Sequence, residues 1–343
     1  MDDSLDYMIN EYTARQFWER REYKDAMRQA SAAAEKALGR GDKSAYWRTS
    51  VLMAECQLEM GLIQDFALSA KQLAEDPSVR EDPAMEARAK ALHARALHAL
   101  GLVGEAVRVA QEAAAIELVD ESDDRNHFDT HHALVASLAE SGDLEGAWKA
   151  ALAMEGLITA TTPPEVAGQA YWAIGNVAFL MEESALGLYH HEMAAERLTP
   201  SNDVNLWALF NKASAHMRIQ AGLVDPSTLV CIERAELAIS VTGGSPIDEL
   251  EISLVRAHWL LLTDEAAESV LRVRNILKQR DLLPPHTLAE TEYILALALY
   301  KLGEYDEALK AAKHCGTTFT VLGAGRRAQE AHQLIDNIER MIG

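Results

Sequence analysis

One glycine-rich segment of the chain could bind a cofactor. The segment from Gly323 to Ala328 reads GAGRRA and mimics the loop that binds dinucleotides. That loop needs a strand before it, a helix after it and an acidic residue about twenty positions on. The residues that precede Gly323 are instead predicted to form the second helix of a hairpin. We therefore expect a turn into a final helix, and we predict no cofactor.

Two histidine clusters have spacings that bear on metal binding. His127 and His131 stand one helical turn apart with His132 beside them, which suits zinc if carboxylates from elsewhere completed the site. No glutamate lies between them in the metalloprotease pattern. Solvent-facing or helix-capping histidines are the favoured interpretation, there and at His190 and His191. Because no nucleophile and base can be paired in the sequence, we predict that the chain is not an enzyme and holds no metal.

The elements that position these residues follow a repeat of about forty residues. Breaks in the helical pattern recur at spacings of 39 to 42 residues. They fall at Arg21, Gly61, Gly101, Gly142, Glu182, Gly222, Asp264 and Gly303. A second set, rich in residues that stop one helix and cap the next, lies midway between them. It comprises 39–41, 76–77, 120–124, 162–164, 199–201, 243–246 and 283–285. Two interleaved sets predict two helices per unit and about eight hairpins.

A pattern of small and apolar residues surrounds the inner break of several hairpins. It is clearest from Leu295 to Ala312, as LAxxLYxxGxYxxAxxxA, and it recurs from Leu134 to Ala151 and from His93 to Ala110. Small residues let two antiparallel helices approach where they cross, and large apolar residues fill the groove beside them. This pattern resembles the tetratricopeptide repeat.

The resemblance implies an all-α fold, a right-handed α-solenoid of about eight tetratricopeptide-like hairpins with a carboxy-terminal capping helix. We expect one domain over residues 1–343, with the capping helix at 326–342. Its hairpins are expected near 5–38, 44–75, 83–118, 126–160, 165–198, 203–241, 246–282 and 286–321. The family's basic unit has about 34 residues, so these helices should be longer or the turns between units long.

Composition and charge restrict the partners. The formal net charge of −21 argues against sequence-independent nucleic-acid binding, because a phosphate backbone requires a basic surface. The acidic amino terminus lacks an export signal, and no apolar run approaches the length of a membrane span. Cys56, Cys231 and Cys315 are far apart in helical segments and suit reduced, half-buried thiols. We expect a cytoplasmic protein without direct nucleic-acid binding or membrane contact.

The resemblance also implies a binding surface. In tetratricopeptide proteins the first helix of each hairpin lines a concave face, and the family's register selects side chains there. The selected donors and aromatics are Arg95, His98, His132, Trp172, Asn176, Lys212, His216 and His258. Beside them the register places Arg48, Glu55, Arg88, Gln169, Phe179, Tyr293 and Tyr300. We predict that the groove from Arg95 to His258 binds a peptide or a partner's extended tail. Ordinary packing between repeats is the alternative.

The family's carboxylate clamp is only partly matched. Asn176 stands where the clamp has its asparagine, whereas Trp172 occupies the neighbouring position where the clamp has lysine. Binding of a chaperone tail is therefore not expected, and binding of another kind of peptide stays open.

Two functions remain in competition. The first is a sensor that resembles the repeat domain of bacterial transcriptional regulators and peptide-pheromone receptors, in which a peptide changes the superhelical pitch. The second is a constitutive scaffold for two proteins. The repeat is already in register at Tyr23 and Ala26, so the output is expected to be a protein contact, or the chain is the repeat part of a longer regulator. The first helix, with Tyr12, Phe17 and Trp18, is expected to pair with a second copy or to be a buried end cap.

Overall fold

The described part of the chain is entirely helical. The computed structural model describes residues 3–117, 124–242 and 246–342, and in these ranges there are seventeen α-helices and no strand. The first eight are α1 Asp3–Glu19, α2 Tyr23–Gly39, α3 Lys43–Glu59, α4 Ile63–Glu75, α5 Pro83–Ala99, α6 Val103–Ala114, α7 Asp124–Ser141 and α8 Leu144–Gly156. The next are α9 Pro164–Leu180, α10 Ser184–Ala195, α11 Val204–Gln220, α12 Pro226–Thr242, α13 Pro246–Leu262, α14 Ala266–Leu277, α15 Pro285–Leu302, α16 Tyr305–Val321 and α17 Gly325–Ile342. The predicted fold class is confirmed.

Every inner break has a left-handed backbone. At the eight predicted break residues φ lies between 62° and 82°. Five of them are glycines, which adopt this conformation readily, whereas Arg21, Glu182 and Asp264 carry side chains that resist it. The predicted spacing of the hairpins is confirmed at these positions. Two of the predicted outer breaks, 120–124 and 243–246, lie almost wholly outside the described residues.

Local capping explains where the first helices begin. Asp82 accepts hydrogen bonds from the backbone N–H groups of Ala84 and Met85, and Asp203 caps α11 in the same way. Helices α9 and α15 begin with a proline, which suits the first helical position. The first helices have 17 or 18 residues, and 3-10 turns at Pro77–Glu81 and Arg280–Leu282 lengthen two connections. Both expected sources of the long repeat are therefore present.

The helices divide into two compact units, Met1–Met181 and Glu182–Gly343. The amino-terminal unit buries Phe66 in one layer of its core and Met154 with Ile174 in another. The carboxy-terminal unit buries Ile232 in one layer and Leu299 in another. Each core is thus built hairpin by hairpin, as a repeat architecture requires.

First and second helices lie on opposite sides of each unit. Successive first helices pack together: α5 with α7 and α7 with α9 in the amino-terminal unit, α11 with α13 and α13 with α15 in the other. Within the described ranges, successive second helices share at most marginal contacts. In a curved stack, neighbouring helices on the inner side lie closer together than neighbouring helices on the outer side. We therefore call the surface of the first helices the inner face of each unit.

The last helix ends the carboxy-terminal unit. Gly323, with φ of 71°, turns the chain into α17, which buries Ala328, Ala331, Leu334 and Ile338. The GAGRRA segment thus follows a helix and forms a turn, as predicted. No helix in the described ranges combines the length and the apolar character that a membrane crossing needs.

Candidate functional site

Charged side chains link the first helices on the inner face of the amino-terminal unit. Arg88 on α5 donates to Glu55 on α3 at 3.3 Å and lies 5.6 Å from the centroid of the Trp47 ring. His98 on α5 lies 3.9 Å from Glu140 on α7. Three residues that the register assigned to the concave face, Glu55, Arg88 and His98, therefore do face the neighbouring first helices.

His132 and Arg95 are neighbours on the same face. Both side chains are exposed to solvent. The protein around His132 nevertheless disfavours its charged form, and together with the charges of Arg95 and His98 it lowers the pKa of His132 to about 4. At neutral pH His132 is uncharged and offers one donor and one acceptor.

An acidic residue completes this part of the face. Burial raises the pKa of Glu59, and the nearby cations Arg95 and Arg21 oppose that rise. The arginine charges are thus balanced in part by Glu59, and the face is not a uniformly basic surface.

The predicted residues on α9 divide into two groups. Trp172 and Asn176 are half-buried and stand four residues apart, which places them on one side of the helix. Phe179, which the register also assigned to the groove, is only 6% exposed. Its ring belongs to the core, so the residue three positions before the break packs inward in this hairpin. The assignment of Phe179 to the groove is therefore wrong.

Lys212 connects two first helices of the carboxy-terminal unit. Its ammonium group donates to Asp248 at 2.8 Å and to Glu251 at 2.7 Å, both on α13. Burial disfavours the charged form, but the two carboxylates outweigh it and raise the pKa of Lys212. A lysine held by two acids stabilises the contact of α11 with α13, and a ligand would have to compete for it.

Two histidines lie on the same inner face. His216 is exposed and His258 is half-buried. Desolvation by the surrounding protein, followed by the positive charge of Arg327, lowers the pKa of each to about 4. His286 and Lys212 also contribute at His216. This unit thus repeats the arrangement around His132, with neutral imidazoles close to cations.

Arg327 belongs to this face and was missed by sequence reasoning. From α17 its guanidinium donates to Gln220 on α11 at 2.8 Å and to Glu290 on α15 at 2.7 and 2.9 Å. It also lies 5.4 Å from the centroid of the Tyr293 ring. No break follows α17, so the repeat register could not assign its residues to a face. The arginine pair at the start of the helix was the only sequence signal.

The prediction for His190 and His191 is wrong, because both are buried. Nδ1 of His191 lies 3.0 Å from Oγ of Ser214, and Arg218 donates to the same hydroxyl at 3.3 Å. The ring of His191 packs edge-on against Phe210, with centroids 5.7 Å apart. The contact between α10 and α11 buries these polar groups. A periodic pattern of apolar residues in the sequence does not indicate such a burial.

The other predicted motifs are placed as follows. His131 bonds the carbonyl of His127 through Nδ1 at 2.9 Å. No group of three His, Cys, Asp or Glu side chains in ranges 3–117, 124–242 and 246–342 is placed to hold a metal ion. Cys56, Cys231 and Cys315 are free thiols and are buried rather than half-buried, and burial raises the pKa of Cys56 and of Cys315 to about 12.

Comparisons with known proteins support the fold. No protein-family model matches the sequence, and no curated protein is significantly similar to it. A crystal structure of a tetratricopeptide repeat protein from Parabacteroides merdae is similar, with a TM-score of 0.51 and 10% identity over 86% of this chain and 99% of that one. The chain has the tetratricopeptide-repeat fold. The chain is also similar to a Rap protein complexed with competence and sporulation factor, with a TM-score of 0.49 and 11% identity over 99% of this chain and 76% of that one.

Proposed function

We propose that this chain is a non-enzymatic regulatory binding protein whose inner faces hold an extended peptide or protein segment. The observation that supports it best is the setting of His132 and of His216. Each ring is exposed to water, is partly desolvated by the protein around it and is uncharged at neutral pH. An extended segment offers amide donors and acceptors to such rings, and a neutral imidazole can answer both.

The neighbouring groups define what else the segment would carry. Arg95 is exposed beside His132 and can pair with a carboxylate of the segment. Trp172 and Asn176 on α9 supply an aromatic surface and an amide on one side of their helix. The proposed ligand is therefore a peptide with acidic and apolar side chains, held by hydrogen bonds to its backbone.

The architecture supplies a mechanism for sensing. Helix α7 contacts α5 and α9, and helix α13 contacts α11 and α15. A segment that bridges several first helices favours one spacing of the hairpins over another. In the absence of any ligand, the ion pairs of Lys212 link α11 to α13, and that of Arg327 links the final helix α17 to α15. Those links also favour the second candidate, a constitutive scaffold whose inner face is held in one shape.

Binding of a mixed-sequence library of short synthetic peptides tests the proposal. Immobilised protein would be incubated with the library, and retained peptides identified by mass spectrometry. We expect enrichment of acidic peptides on the wild type, and loss of about tenfold or more in affinity on Arg95→Ala with His132→Ala or on His216→Ala with His258→Ala. These substitutions leave the ion pairs of Lys212 and Arg327 in place.

A matched variant with Lys149→Ala and Arg234→Ala, both exposed on second helices, should bind as the wild type does. Equal losses on the matched variant, or no enrichment at all, would contradict the groove proposal. Hydrogen exchange then separates the two candidates, because a sensor changes the protection of first helices on binding whereas a rigid scaffold does not.

A further inference from the structure

A cavity in the amino-terminal unit is lined almost wholly by charged side chains. Its volume is about 430 Å³, and its lining comes from α4, the 3-10 turn Pro77–Glu81, α5 and α6. Pockets that hold small molecules have volumes of about 300–1,000 Å³. Seven of its nine lining residues are Glu, Arg, Lys or His. A cavity of this size and polarity can accept a small charged molecule.

This cavity lies apart from the inner face. Helix α5 contributes Glu86, Lys90 and His93, whose spacing of four and three residues places them on one side of the helix. At about 100° per residue, Lys90 lies about 200° around the helix axis from Arg88, and His93 lies about 200° from Arg95. The cavity therefore adjoins the side of α5 that faces the second helices, and it forms a site separate from the proposed peptide-binding surface.

The acidic side chains of the lining are already engaged. Lys90 lies 3.0 Å from Glu86 and 3.6 Å from Glu112. Glu75 lies 3.8 Å from Lys71, one turn earlier on α4. Each of these three carboxylates thus has a cation within 4 Å, and none of them requires a cationic ligand.

Two basic side chains of the lining have no partner. Arg80 on the 3-10 turn and His93 on α5 form no hydrogen bond or ion pair with any residue of 3–117, 124–242 and 246–342. The guanidinium of Arg80 is exposed, and the ring of His93 is half-buried. Burial lowers the pKa of His93, so the ring is neutral at pH 7 and offers one donor and one acceptor. The groups that are free to bind a ligand are therefore hydrogen-bond donors.

These free groups define the charge of the ligand. The planar guanidinium of Arg80 presents paired N–H groups that match the two oxygens of a carboxylate. A phosphate dianion would bring a second negative charge close to the three carboxylates of the lining, which repel it. The two remaining lining residues, Ala74 and Val109, are apolar and can contact an uncharged body. The lining thus favours one negative charge on an apolar molecule.

We propose that this cavity binds a small organic monocarboxylate, whose carboxylate pairs with Arg80 and accepts a hydrogen bond from His93. Its apolar body lies against Ala74 and Val109. The site does not depend on the binding of a peptide to the inner faces, so the two proposals can fail separately.

Titration of the full chain, labelled with carbon-13 in its histidine rings, tests the site. The probes are benzoate, benzamide and phenyl phosphate, which share one aromatic ring and carry one, no and two negative charges. Benzoate should shift the His93 resonance with a Kd of about 1–10 mM, as expected for a ligand of this size. The spectrum of His93→Gln identifies that resonance. Benzamide and phenyl phosphate should each bind at least about fivefold more weakly.

Substitution of Arg80 tests the role of the guanidinium. Arg80→Gln should weaken benzoate binding by about tenfold, and Arg80→Lys by less, because lysine keeps the charge but loses the paired N–H groups. Arg28→Gln is the matched control and should bind as the wild type does, since Arg28 is 69% exposed on α2 and pairs with Asp25 of its own helix.

Three results would overturn the proposal. The first is a His93 resonance that does not move at benzoate concentrations well above the expected Kd. The second is an equal loss of affinity in Arg80→Gln and Arg28→Gln. The third is binding of phenyl phosphate or benzamide that is as tight as that of benzoate, because the site would then not select a single negative charge.

Discussion

At the scale of single residues, the break positions are the most constrained. Glycine meets the left-handed requirement at Gly61, Gly101 and Gly222, and space is open around each of them. Arg21, Glu182 and Asp264 adopt the same conformation with a side chain, which costs about 1–2 kcal/mol per residue. The repeat therefore stores backbone strain at three of its eight breaks.

Glu182 allows this strain to be measured. We expect Glu182→Gly to stabilise the protein by about 0.5–1 kcal/mol. Relief of the backbone strain lowers the free energy of the folded state by more than the added conformational entropy of glycine lowers that of the unfolded chain. Gly222→Ala should destabilise it by about 1 kcal/mol, since a Cβ there meets no neighbour and only the backbone resists. Urea denaturation measures both. Destabilisation by Glu182→Gly would show that the side chain of Glu182 contributes more than its backbone costs.

At this scale the sequence predicted the break positions, because the backbone geometry there favours particular residue types. Spacing predicted the positions of all eight breaks, and glycine indicated a left-handed backbone at five of them, whereas residue type did not indicate it at Arg21, Glu182 and Asp264. The environment of single histidines was not predictable in the same way. His191 lies on a second helix and contacts Ser214 in the core, whereas His132 lies on a first helix and is exposed. Only the packing of other helices distinguishes them.

At the scale of helices, Arg327 fastens α17 to the inner face of its unit. Its side chain and that of Glu290 are 14% and 10% exposed, and Gln220 and Glu330 complete the set of acceptors. Breaking a buried pair leaves an uncompensated charge, which costs more than the pair itself contributes. The final helix therefore depends on one guanidinium as well as on its apolar side.

Arg327→Gln should destabilise the carboxy-terminal unit by about 2–4 kcal/mol, because Glu290 stays buried without a cation. The neighbouring Arg326 is 69% exposed and lies 3.8 Å from Glu330, so Arg326→Gln should change stability by less than about 0.5 kcal/mol. Urea denaturation gives the two values, and hydrogen exchange should show the loss of protection in α17. Equal effects of the two substitutions would mean that the apolar side alone holds the helix.

The helices themselves were predictable from sequence to within a few residues at most ends. The capping helix was expected at 326–342 and lies at Gly325–Ile342. What could not be predicted was the contact of α17 with α11, because it joins residues 107 positions apart through one side chain. Periodicity specifies neighbours in a repeat, and it carries no information about contacts that skip several helices.

At the scale of the whole molecule, the inner-face histidines couple stability to pH. The pKa values of His132, His216 and His258 are lowered from 6.5 to about 4 in the folded state. The unfolded chain therefore binds protons first as the pH falls. The contribution of these histidines to stability is complete above pH 6.5 and is lost as the pH falls toward 4.

Thermal unfolding as a function of pH tests this coupling. The melting temperature of the wild type should fall between pH 6.5 and pH 4, and replacement of the three histidines by glutamine should reduce the slope. The carboxylates of this acidic chain also titrate near the lower end of that window. The difference between the two proteins therefore isolates the histidines.

His332→Gln, on the exposed side of α17, is the control and should keep the wild-type slope. Parallel curves for wild type and triple variant would show that these rings are fully hydrated, and the desolvated setting that supports the proposed binding function would not exist.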